Sequence, residues 1–173
     1  MSNIVIIGSG PAGVSAALYT ARAGVDTTVL TRGAGALERA EKIENYYGFD
    51  QPVSGAELER RSVEGAKRLG VKFVSGEAVG ITYTDRLTVE TLAGDYPADA
   101  VILATGASRA APRLPGLAEL EGHGVSWCAT CDAFFYRGKD VAVLGSGEYA
   151  LHEVQALLPM VKSVTLLTNG AAM

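Results

Sequence analysis

A chain of 173 residues with 48% hydrophobic side chains and a mean hydropathy of +0.19 carries ample material for a packed core, which argues against disorder. Its formal charge of −4 argues against a nucleic-acid surface or a polybasic membrane-binding one. The apolar opening is interrupted by Gly8, Gly10, Pro11 and Gly13 and has no cationic leader, so neither a signal peptide nor a spanning helix is expected. A cytoplasmic location is the expectation, and there a disulfide persists only as part of transient redox chemistry.

The β-branched run Asn3–Ile7 suits a strand buried on both faces. Glycines follow, then AGVSAALYTARAG, which has helical periodicity and a stop at Gly24. DTTVLT is a second strand and completes a βαβ unit. The stretch from Arg32 to Val53 is irregular and reads as an excursion over a ligand. SGAELERRSVEGAKRLG is an amphipathic helix capped by Ser54 and stopped by Gly70, and VKFV is a third strand.

Between Glu77 and Leu92 the period becomes two, with Asp85 at the tip, as in a hairpin. Residues Ala100 to Gly106, AVILATG, form another apolar strand ending in glycine, and ASRAAPRLPG reads as a connection to a second unit. That unit holds CATC, strand DVAVLG, helix EYALHEVQALL and strand SVTLL. Two strand–glycine–helix–strand units make a weak internal repeat. The second stops after one βαβ, which is too little for a closed layer. The expectation is a fragment, or a chain whose sheet a partner completes.

Gly8-Ser9-Gly10-Pro11-Ala12-Gly13 follows a strand and opens a helix, the context of a dinucleotide fingerprint. In that role Gly8 makes the tight turn, Gly10 lets a pyrophosphate approach and Gly13 allows close helix–strand packing. The acidic ribose ligand expected at the end of the second strand is replaced by Thr31 and Arg32, and a tight turn without ligand is the alternative. Gly145-Ser146-Gly147-Glu148-Tyr149-Ala150 has the form of the nicotinamide variant. Glu148 would repel phosphate there, so whether this loop takes NADPH stays open.

Cys128 and Cys131 are the chain's only cysteines. A zinc site would want more ligands than His123 and His152 offer at usable spacings, and so short a loop would add little stability as a structural staple. Two thiols two residues apart suit disulfide exchange, one attacking and the other resolving the mixed disulfide. Asp132 is a candidate proton donor or acceptor, or a solvated capping carboxylate. A dithiol moves two electrons, and a flavin accepts two, so the pairing favours FAD over NAD at the first glycine loop.

The stretches GSGPAGVSAALYTARAG, KIENYYGF, ILATGAS and above all GVSWCATCDAFFYRGKDVAVLGSG resemble the low-molecular-weight thioredoxin reductases along essentially the whole chain. The resemblance implies an α/β fold of two Rossmann-like, three-layer domains, the second incomplete. Residues 1–109 would be part of an FAD domain, and residues 110–173 the beginning of the CxxC-bearing pyridine-nucleotide-type domain. It implies a homodimer and a thioredoxin-like protein as acceptor; the charge and hydropathy above leave no nucleic-acid or membrane partner expected. Cys131 would be the flavin-side thiol, Cys128 the one attacking thioredoxin, and Asp132 the acid–base residue. FAD would be held by Gly8, Ser9, Gly10, Pro11, Ala12 and Gly13, with Thr31, Arg32, Leu37, Asn45, Ala78, Ala104, Thr105 and Gly106. Phe134, Phe135 and Arg137 would belong to the docking surface, unless the two phenylalanines are core.

The departures are specific. Gly35-Ala36 stands where the family often has Gly-Gly-Gln, and Glu148, Tyr149 and Thr168-Asn169-Gly170 stand where it has its NADPH-binding residues. Relatives that take electrons from ferredoxin or another donor are similar in that respect. Three readings therefore stand beside one another: a thioredoxin-reductase-type enzyme with an open donor, an enzyme acting on peroxide or small disulfides, and a relic that binds FAD and a partner without turnover.

Overall fold

The computed structural model describes residues 2–107 and 111–172. The chain divides into two compact units, Met1–Ala111 and Pro112–Met173. The expected boundary between residues 109 and 110, and residues 108–110 of the expected connection, lie outside the described residues.

The first unit is built on a parallel sheet of β1 (Asn3–Ile7), β2 (Asp26–Thr31), β3 (Lys72–Ser75) and β7 (Ala100–Leu103), in the order β3-β2-β1-β7. Successive side chains of a strand face opposite ways, and here both faces are covered. Ile6 and Val29 point to the helices α1 (Pro11–Arg22) and α2 (Gly55–Arg68), packing with Val14, Ala17, Ala66 and Val71. Val5 and Leu30 point the other way, onto Val89 and Ala98. Those two belong to an antiparallel meander of β4 (Ala78–Tyr83), β5 (Leu87–Thr91) and β6 (Gly94–Ala98), in that order. The layers are thus helices, parallel sheet and meander.

The hairpin expected up to Leu92 is the first half of this meander, with Asp85 in its turn, where Thr84 donates to the Asp85 carboxylate. Its third strand was not expected, because Gly94, Asp95 and Pro97 all have poor strand propensity. Pro97 is tolerated because β6 is an edge strand. The strand expected to run to Gly106 stops at Leu103. The irregular excursion contains one 3₁₀ turn, Ala36–Arg39, and closes on itself by a bridge between Ile43 and Val53. α2 begins as expected: Ser54 Oγ accepts the Glu57 N–H at 3.2 Å, and Glu57 instead of reaching back pairs with Arg60 and Arg61.

In the second unit β8 (Asp140–Leu144) pairs in parallel with β9 (Ser163–Leu167), and α4 (Gly147–Leu157) connects them. The short α3 (Ala129–Asp132) carries the cysteines and runs into a 3₁₀ turn, Ala133–Tyr136. Ala129, Ala133 and Leu157 form its small core, with Val141, Val143 and Val164 packed around them. Among the described residues no helix is long and apolar enough to cross a membrane.

Candidate functional site

The first glycine loop sits where β1 ends and α1 begins, at the carboxyl ends of three parallel strands. Gly8 has φ +113, and a Cβ there would collide with the carbonyl of Ala104. A Cβ on Gly13 would collide with the carbonyl of Gly8. These two glycines are demanded by the protein's own backbone. Gly10 is different: its φ of −68 suits any residue, and a Cβ would meet no protein atom within 4 Å. Packing leaves Gly10 without a purpose, whereas a group approaching the backbone from outside gives it one.

α1 starts without a side-chain cap and without an acidic residue in its first turn. Its first N–H groups have no intrahelical acceptor and carry the positive end of the helix dipole, which suits a diphosphate. The residues present therefore fit the diphosphate of a dinucleotide. A cleft of about 300 Å³ adjoins the loop, lined among others by Ser9, Gly10, Pro11, Leu37, Ile43 and Tyr46. Glu59 of α2 also lines it; burial and then the charge of Glu38 push its carboxyl above the ordinary range. Sequence reading missed Glu59.

Several of the expected FAD contacts gather around the loop. The hydroxyls of Ser9 and Thr31 are 2.6 Å apart, Gly8 donates to the Leu30 carbonyl at 2.8 Å, and Ala104 donates to the Ile7 carbonyl at 2.9 Å. Pro11 and Ala12 are exposed in the first turn of α1, and Thr105 and Gly106 are exposed just past β7, with Gly106 at φ +70. The others lie on separate segments. Arg32 pairs with Glu77 at 2.8 Å on the surface. Ala78 opens β4 and packs against the meander-side core. Asn45 is exposed, shortly beyond the Ile43–Val53 bridge.

In the second unit Cys128 and Cys131 form a disulfide across α3, with Cα atoms 5.3 Å apart, inside the usual range. The Cys128 sulfur accepts the Cys131 N–H at 3.2 Å. Ser126 is a hub that sequence reading missed. Its hydroxyl donates to Asp132 Oδ2 at 2.5 Å and accepts the Cys128 N–H at 3.2 Å. Asp132, the residue after Cys131, is thereby tied to Ser126. Burial, and then the Asp132 charge, push the Tyr136 phenol above its ordinary value.

Phe134 and Phe135 are both exposed, and their rings meet edge to face at 5.9 Å, so they are not core. His123 approaches the carbonyl of Glu121, and His152 lies 3.7 Å from Glu153.

The second glycine loop does not repeat the first. Its helix begins at Gly147, which has φ +75, whereas Gly10 precedes its helix in an extended conformation. Glu148 stands exposed in the first turn, where the first loop has no acid. The first loop thus presents uncompensated N–H groups to an anion, and the second presents a carboxylate.

Comparison with known proteins agrees with this layout. The sequence profile of the pyridine nucleotide-disulphide oxidoreductases matches residues 2–172. A thioredoxin reductase of Streptomyces coelicolor is 41% identical over 170 residues, covering 95% of this chain and 53% of the relative. A bifunctional thioredoxin reductase/thioredoxin of Mycobacterium leprae is 42% identical over 168 residues, covering 95% of this chain and 37% of the relative. The crystal structure of thioredoxin reductase from Streptococcus pyogenes superposes with a TM-score of 0.87 at 38% identity, covering 94% of this chain and 54% of that one. The chain spans about half the length of the thioredoxin reductases it matches. A helix-opening glycine loop in the first unit, a bonded CxxC in the second and a profile match along both establish that the chain belongs to the pyridine nucleotide-disulphide oxidoreductase family.

Proposed function

We propose that the chain is the part of a thioredoxin-reductase-type flavoprotein that holds the FAD diphosphate and the redox-active dithiol. The observation that carries this reading is the Cys128–Cys131 disulfide, set in a turn whose carboxylate, Asp132, is fixed by Ser126. Gly8, Gly10, Gly13 and the first turn of α1 would hold the diphosphate, with Ser9 and Thr31 supporting the loop. Bound FAD would supply two electrons, which with two protons convert the disulfide to the dithiol.

The protein's own residues then carry the exchange. The Cys128 thiolate attacks one sulfur of a thioredoxin-like protein's disulfide and expels the other as a thiolate. Cys131 next attacks the Cys128 sulfur of the mixed disulfide, which releases the reduced partner and restores the Cys128–Cys131 bond. In this reading Asp132 would take the proton from the attacking thiol and return one to the leaving thiolate. The same reading makes the protein cytoplasmic and a homodimer; light scattering on the full-length protein tests the second.

The decisive variant is Cys131→Ser in the full-length protein. It is expected to keep FAD, seen by visible absorbance, and to lose disulfide reduction. Retained reduction of a thioredoxin-like substrate refutes the reading.

The electron donor has a second reading, ferredoxin or another protein in place of NADPH. Glu148 and the left-handed Gly147 favour it, since both depart from a phosphate-binding loop. An anaerobic spectrum separates the two. Bleaching by NADPH refutes the protein-donor reading, whereas flavin that bleaches with dithionite and not with NADPH or NADH supports it.

A further inference from the structure

Glu153 is a carboxylate on the face of α4 that otherwise turns inward. It stands three and four positions from Ala150 and Leu157, both buried, and its own side chain is only 15% exposed. Its Oε2 accepts the backbone N–H of Ala129 at 2.7 Å, and Ala129 directly follows Cys128. Its other oxygen lies 3.7 Å from the exposed His152 ring. Titratable groups on the same turn include Asp132, bonded to Ser126, and Tyr136, whose ring lies under the Lys139 ammonium at 5.7 Å. From β8 and β9, Val141, Val143 and Val164 pack against this core.

We propose that Glu153 is a positioning residue: it clamps the Cys128–Cys131 turn to α4 and, by its charge, keeps reduced Cys128 protonated to higher pH than the turn alone would. Two effects act in the same direction. The carboxylate takes up an N–H that would otherwise stabilise a neighbouring thiolate, and it repels negative charge on the sulfur. A pair tuned this way does not expose a standing thiolate to oxidants, and it ionises as a proton acceptor such as Asp132 comes into use.

The inference rests on reading the pair as redox-active, but its test needs no flavin, donor or acceptor turnover. In the Cys131→Ser background Cys128 is the sole thiol, and its rate of capture by iodoacetamide is followed against pH. Glu153→Gln and Glu153→Met are both expected to move the profile to lower pH and to speed capture at pH 7 about three- to tenfold. Glu148→Gln, which removes an exposed carboxylate from the same helix, is expected to leave it unchanged. A purely structural clamp behaves differently, because Gln keeps the acceptor and would leave the profile where it was. Glu153→Gln separates charge from clamp, and Glu153→Met, which removes both, shows whether Glu153 acts on Cys128 at all. Profiles that superimpose on the parent, or an equal shift from Glu148→Gln, overturn the proposal. Failure of the redox reading would show instead as disulfide reduction by Cys131→Ser, which leaves the capture profile untouched.

Discussion

Replacing Gly10 with alanine should separate holding the fold from holding the cofactor. The backbone at Gly10, φ −68 and ψ −177, is open to alanine without strain, and the added Cβ meets no protein atom within 4 Å. Restricting the unfolded chain contributes about 0.4–1 kcal/mol in favour of the variant. Against this, alanine caps a helix less well than glycine does, at a cost of about 1 kcal/mol. The two nearly cancel, and the flavin-free variant should unfold in urea within about 1 kcal/mol of the parent. FAD binding should behave otherwise. A methyl group on the face left open for a diphosphate displaces one or two charge-assisted N–H bonds, which weakens binding about 10- to 100-fold in an absorbance titration. Gly8→Ala is the contrast, since φ +113 and the Ala104 carbonyl together should cost about 3 kcal/mol or more. Undiminished FAD binding by Gly10→Ala would refute the reasoning, as would a stability loss equal to that of Gly8→Ala.

Ser54→Ala should lower the stability of the first unit by about 1 kcal/mol, read from urea midpoints, because it removes the acceptor for the Glu57 N–H. Glu57 itself is held at about 2, against an ordinary value of 4.5, by hydrogen bonds from Arg60 and then Arg61. Its contribution is therefore complete above pH 4.5 and lost as the pH falls through about 2. Thermal midpoints measured across that window should fall less steeply for Glu57→Gln than for the parent, and equal slopes would remove Glu57 from the account. Asp132→Asn should slow thiol–disulfide exchange with a thioredoxin-like protein about 100-fold in stopped-flow kinetics while leaving FAD absorbance intact. An unchanged rate would make Asp132 a structural partner of Ser126 and nothing more.

Much of the fold was legible because burial leaves a strong pattern. β1, β2 and β9 begin and end where their β-branched runs do, and α2 starts at its capping serine. β6 was illegible for the opposite reason: Gly94, Asp95 and Pro97 form a strand only because β5 supplies the partner for one edge. At the site, position in the fingerprint already separates Gly8 and Gly13 from Gly10. The neighbouring Ala104 and Gly8 carbonyls supply the steric reason, which the pattern does not contain. Ser126 carries no sequence signal, since its role depends on a turn bringing Asp132 back to it. Glu153 had one. A carboxylate at the spacing of Ala150 and Leu157 on α4 is a charge on an inward face, which calls for a partner.

The parallel sheet has a consequence for how the protein is made. β1 is flanked by β2 on one side and β7 on the other, and the ties that secure its start, such as Asn3 to Asp99, join residues 96 positions apart. At roughly 5–20 residues per second on the ribosome, β1 waits on the order of 5–20 seconds with one edge unpaired. Throughout that interval Val5 also lacks Val89 and Ala98, the residues that cover it in the finished molecule. The nascent chain thus carries a sticky edge and an uncovered apolar face until nearly all of the first unit has emerged. For this protein, chaperone dependence and yield should follow the speed of translation between β2 and β7 more closely than the stability of the finished fold.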